Sequence, residues 1–207
     1  MSLTLFESIQ RIVRDELRQV RTAELAIVEK QHPHAAESDT DNYACTVRLR
    51  DAQIVLAEVP VLTGRIGAAA IPGVGELVLV QFVGGDVNRP VIAGRLYNDE
   101  DRPPENEDGK AVLHLPLGAA DSDAVHLELW SGDTRKAVVK LGTGLELTVQ
   151  DDDPAVTLAV GDNATLEIAK DGAVSLESQG DVELKGAAIT VEASGELTLK
   201  GSTVNIN

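Results

Sequence analysis

The chain has 207 residues, with 34 Asp and Glu against 18 Lys and Arg, for a formal net charge of −16. That balance argues against binding DNA or RNA through phosphates and against an anionic membrane surface. A single cysteine, Cys45, excludes an internal disulfide framework, and no run of about 18 apolar residues predicts a membrane-spanning helix. Aromatic residues make up only 2% of the chain. Rings bury the most area per side chain, so their scarcity predicts an interior too narrow for them, filled by Val, Leu, Ile and Ala.

The N-terminal "MSLTLFESIQRIVRDEL" is charged throughout and does not read as a secretory signal, which predicts synthesis in the cytoplasm. Leu5, Ile9, Ile12 or Val13, Leu17 and Val20 fall on one stripe at helical spacing. Thr4, with Glu7 three residues on, has the form of a capping box. The spacing predicts a short amphipathic helix within 1–22, packed on its own domain or docked to a partner.

From residue 23 the apolar period becomes two. "AELAIVE", "YACTVRL", "QIVLAEVPVL", "GELVLVQF" and "PVIAGRLY" read as five strands, separated by Gly, Pro and Asp punctuation, with "KQHPHAAESDTD" as a polar loop after the first. Five short strands in that length suit a small Greek-key barrel such as the OB-fold, placed at 23–100. The acidic, Pro-rich "NDEDRPPENEDGK" reads as a linker, and 101–144 as linker and transition strands.

Beyond it apolar pairs recur with turn residues between them. They are Leu145/Leu147/Val149, Val156/Leu158/Val160, Leu166/Ile168, Val174/Leu176, Val182/Leu184, Ile189/Val191, Leu197/Leu199 and Val204/Ile206. First members lie 11, 10, 8, 8, 7, 8 and 7 residues apart, so the spacing settles near eight. Each repeat holds one strand and one turn, and one such strand cannot bury its apolar face alone. A single-chain parallel β-helix needs roughly 20 residues or more per coil. Two arrangements remain: a meander packed on something else, or several chains wound round one axis. The scarcity of rings favours the second, a threefold intertwined β-prism over 145–207. Its core would be Leu166, Ile168, Val174, Leu176, Val182, Leu184, Ile189, Val191, Leu197 and Leu199. The fold class expected is mainly β: a short helix, an OB-fold barrel and a C-terminal intertwined triple-stranded β-helix forming a homotrimeric prism.

The segment "IPGVGELVLVQFVGGDVNRPVIAGRLYNDEDRPP", 71–104, resembles the OB-fold domain of phage baseplate assembly protein V and of the Vgr spike proteins of type VI secretion. The matching elements are Pro72, Gly75-Glu76, the strand from Val78 to Phe82, Gly85-Asp86, Arg89-Pro90, Gly94 and Leu96-Tyr97-Asn98. "VPVLTGRIG" upstream also fits, and "GELTLKGSTVNIN" resembles the C-terminal β-helix of the same spikes. The resemblance implies a homotrimeric, non-enzymatic central spike of a contractile injection machine: a phage tail, a tailocin or an extracellular injection particle. Such a spike sits on a baseplate hub, here a separate chain because the large hub domain of Vgr proteins is missing, and pierces the target envelope on sheath contraction. Its blunt end implies a PAAR-type tip protein docked on Val204, Asn205, Ile206 and Asn207. The rival reading is a trimeric receptor-binding tail fibre or adhesin.

Other motifs read as ordinary structure. His32-Pro33-His34 sits in the first barrel loop, away from the C-terminus where such spikes bind iron, and predicts no metal. "DDDP", 151–154, with Asp162 lacks the Gly and Glu of a calcium loop and reads as a solvated turn. Glycines 64, 67, 73 and 75 lack the strand–loop–helix context of a dinucleotide fingerprint. Cys45 reads as a small buried apolar residue, and Trp130 as a local core or interface residue. His114 and His126 flank Asp-rich turns without a recognisable Ser/His/Asp arrangement. No cofactor is expected.

Overall fold

The computed structural model describes residues 4–19, 21–142 and 144–205. The chain divides into two compact units, Met1–Pro104 and Glu105–Asn207. It is mainly β, with one short N-terminal α-helix and antiparallel sheets.

In the first unit, α1 (Leu5–Gln19) begins with the capping box. The Thr4 N–H donates to Glu7 Oε2 at 2.8 Å, and the Glu7 N–H donates back to Thr4 Oγ1 at 3.3 Å. The hydrogen bond from the Thr4 backbone holds the Glu7 carboxyl below its ordinary value. Leu5, Phe6, Ile9, Ile12 and Val13 are exposed along the stripe. The side chain of Leu17, and Val20 entirely, lie outside the described residues.

Five strands follow: β1 (Ala23–His32), β2 (Ala44–Leu49), β3 (Val55–Pro60), β4 (Leu77–Phe82) and β5 (Pro90–Leu96). They pair in the order β3-β2-β1-β4-β5, and a parallel bridge between Val61 and Ile92 joins the two ends. The ring therefore runs β1-β2-β3-β5-β4 and back to β1, a closed Greek-key barrel of the OB type that leaves little free edge. Inward residues at alternate positions make a narrow aliphatic core: Ala26, Val28, Val47, Leu49, Val59, Val78, Val80 and Ile92, with Cys45 and one ring, Phe82. Burial pushes the Cys45 thiol up, so it packs as a small apolar group.

β1 is longer than its sequence suggests. A bulge between Val28 and Lys30 resets the register, and Lys30, Gln31 and His32 then pair with Thr46, Cys45 and Ala44. His32 is thus the buried end of a strand, not part of the loop. The β4–β5 connection is the tight turn that Gly84 and Gly85 permit, both at positive φ (69° and 79°). The Asp86 carboxylate accepts the Asn88 N–H at 2.9 Å, and Pro90 opens β5 opposite Phe82.

The second unit is a seven-stranded up-and-down meander. Its strands are β6 (Lys110–Leu115), β7 (Val125–Trp130), β8 (Lys136–Leu141), β9 (Leu145–Gln150), β10 (Val156–Val160), β11 (Ala164–Ile168) and β12 (Val174–Ser178). Each pairs antiparallel with the next. Residues 145–178 therefore fold, within one chain, as a meander, the first of the two arrangements the repeat allows. No strand is assigned to residues 179–205.

Candidate assembly surfaces

Register decides which side chains share a face. Three columns cross all seven strands of the second unit on one side. The central column is Leu113, Leu127, Val139, Leu147, Leu158, Leu166 and Leu176. One flanking column is Leu115, Val125, Leu141, Leu145, Val160, Ala164 and Ser178. The other is Ala111, Leu129, Ala137, Val149, Val156, Ile168 and Val174. Ser178 is the only polar member. Not one of these residues is buried. A sheet with a continuous aliphatic face needs a second layer against it, and the described residues of this unit supply none.

Four of the ten residues read as a trimer core, Leu166, Ile168, Val174 and Leu176, lie on this face. The other six lie in the tail, where Val182, Leu184, Ile189, Val191, Leu197 and Leu199 are 49–73% exposed. The last backbone hydrogen bond found among the described residues runs from the Gln179 N–H to the Asn163 carbonyl at 2.8 Å. Val204 and Asn205 are exposed, while Ile206 and Asn207 lie outside the described residues.

The opposite face is polar and locally well knit. Glu128, on β7, accepts from Trp130 Nε1 at 2.9 Å, Lys110 Nζ at 3.0 Å and His126 Nε2 at 2.8 Å. Lys110 and Lys136 flank the Trp130 ring, their ammonium groups 4.8 and 5.2 Å from its centroid. Burial pushes the Glu128 carboxyl up, but the bonds from His126, Trp130 and Lys110 outweigh it and hold the group at about 2. A carboxylate depressed on folding contributes stability that is complete above its unfolded value, near 4.5, and is lost as pH falls toward the folded one. The unit should therefore lose about 1–2 kcal/mol over that interval, after solvent screening. Melts followed by Trp130 fluorescence should show a shallower acid dependence for Glu128→Gln.

The remaining sequence motifs have separate local partners. His32 Nε2 bonds Thr46 Oγ1 at 3.0 Å, whereas His34 Nδ1 bonds Asp39 Oδ1 at 2.8 Å. In the acidic turn, Asp151 pairs with Arg135 and Asp153 accepts the Lys170 N–H at 2.9 Å. Gln179 Nε2 donates to the Asp162 carbonyl at 2.7 Å. His32 thus fastens the end of β1 to β2, and the others build turns.

The barrel's ring order and parallel closing bridge define an OB-type domain, and the polar contacts around it are structural. The loop before β4 is tied down by Tyr43, whose hydroxyl accepts the Ala70 N–H at 2.9 Å, by Arg95 donating to the Ala70 carbonyl, and by Gln31 donating to Pro72 O at 2.7 Å. Residues 59–97 match the family model of the type VI secretion system/phage-baseplate injector OB domain. The match runs from the end of β3 just past β5 and supports the resemblance to baseplate spike proteins read from 71–104. It marks a structural role related to phage baseplates and type VI spikes. No helix among the described residues is long and apolar enough to cross a membrane.

Proposed function

We propose that this chain is the structural central spike of a contractile injection machine, acting as a homotrimer. The observation that carries this reading is the unburied three-column aliphatic face of the second unit, continued as alternating apolar residues through the tail. Three copies round one axis would turn three such faces inward, and a narrow axis suits Leu, Val and Ala better than rings. Backbone N–H and C=O groups need partners, and beyond Gln179 the other two copies would provide them. On this reading 145–207 is the trimeric spike, interleaved at least beyond Gln179. Residues 1–22 and the barrel at 23–100 belong to the baseplate side, against a separate hub protein, and 101–144 joins the two.

Native mass spectrometry of the full chain should give a trimer; a folded monomer would sink the proposal. Val204, Asn205, Ile206 and Asn207 would form the platform for a PAAR-type tip protein. Deleting 202–207 should abolish capture of that protein while leaving the trimeric mass unchanged. Specific binding on a glycan array would point instead to a receptor-binding fibre or adhesin.

A further inference from the structure

On the polar face of the second unit, His114 of β6 stands directly opposite His126 of β7. Their rings meet edge to face, and the two Nδ1 atoms are 3.1 Å apart. Each outer nitrogen faces an oxygen. His114 Nε2 is 3.0 Å from the Ala119 carbonyl, and His126 Nε2 is 2.8 Å from Glu128 Oε1. A carbonyl and an ionised carboxylate can only accept, so both Nε2 atoms carry protons. Two neutral rings of that form would bring two bare Nδ1 lone pairs together. Two imidazolium rings would bring two N–H groups together. Only one proton between the Nδ1 atoms makes a hydrogen bond, and the pair then carries a single positive charge.

This pair holds a strap. Residues 116–124 leave β6, cross the polar face and return to β7. The Ala119 carbonyl is bonded to His114, Ala124 is buried, and the Asp123 N–H donates to Ala120 O at 2.9 Å. The strap packs so closely that a Cβ at Gly142 would lie 1.8 Å from the Ser122 carbonyl oxygen. The charged groups sharing this face are Lys110 on β6, Glu128 on β7, Lys136 and Lys140 on β8 and Glu146 on β9, and the strap itself carries Asp121 and Asp123. Glu146 is engaged by Lys140 at 3.4 Å.

We propose that His114 and His126 share one proton, and that the hydrogen bond it makes latches the 116–124 strap onto the sheet. The inference is independent of the spike reading, since it concerns one chain's own polar face. Ring-nitrogen NMR of the full-length protein should show protons on both Nε2 atoms and a single proton coupled to both Nδ1 atoms. Strap amides should exchange about ten-fold faster in His126→Phe than in the unaltered protein. If the variant does not fold, the ring-nitrogen spectrum of the unaltered protein decides alone. Nδ1 atoms that are both bare or that each carry a proton, or strap exchange unchanged in the variant, would overturn the proposal.

Discussion

Leu158→Asp is expected to abolish the proposed trimer while a matched change on the other face, Thr157→Asp, leaves it intact. Leu158 sits in the central column between Leu147 and Leu166, whereas Thr157 pairs with Thr148 and Glu167 on the polar side. A carboxylate forced into an apolar interior costs several kcal/mol unless paired, and threefold symmetry would bring three together at one level. Light scattering should report monomer or aggregate for Leu158→Asp, since an uncovered aliphatic sheet also invites non-specific association. Trimers from both variants, or from neither, would refute the assignment of this face to the interface.

The second large effect is expected in the barrel. Phe82 is 5% exposed and is the one ring in its core. Phe82→Ala removes it from a ring of strands with little freedom to collapse, so the cost should be about 3–5 kcal/mol. For a domain of this size that lowers the melting temperature by about 4–8 °C per kcal/mol. The chain offers a convenient separation of signals. Its single tryptophan, Trp130, lies in the second unit, while Tyr43 and Tyr97 lie in the first. The tyrosine signal should melt early in Phe82→Ala with the Trp130 transition retained. Ile66→Ala, at a residue 91% exposed, should leave both unchanged.

The barrel strands were legible because inward apolar residues recur two apart, as in Ala26 and Val28, in Cys45, Val47 and Leu49, and in Val78, Val80 and Phe82. What pairing alone reveals was not. β1 reads as ending near Glu29, because nothing in "KQH" announces that a bulge resets its register and carries His32 inside. The strands β6 and β8 were blurred because Val112 and Val138 sit on the polar face, which breaks the two-residue period. The spacing of these strands is also less regular than in the repeat that follows. His114 and His126 are twelve positions apart, and only the antiparallel register makes them neighbours. The same holds for Lys110 and Trp130. In the tail the opposite happens: the alternation of Val182 to Val204 is plain in the sequence, but those residues stay 49–73% exposed.

The meander also has a mechanical sense. Its strands lie crosswise to the direction in which they are stacked, so the hydrogen-bond ladders run along that direction, about 4.8 Å per step. A thrust along the stack presses every ladder shut at once, and the turns keep the layers in line. A pull along the same direction meets the ladders in series and opens them one after another, beginning at the β6 or β12 edge. Such a structure is a strut under compression and a zipper under tension.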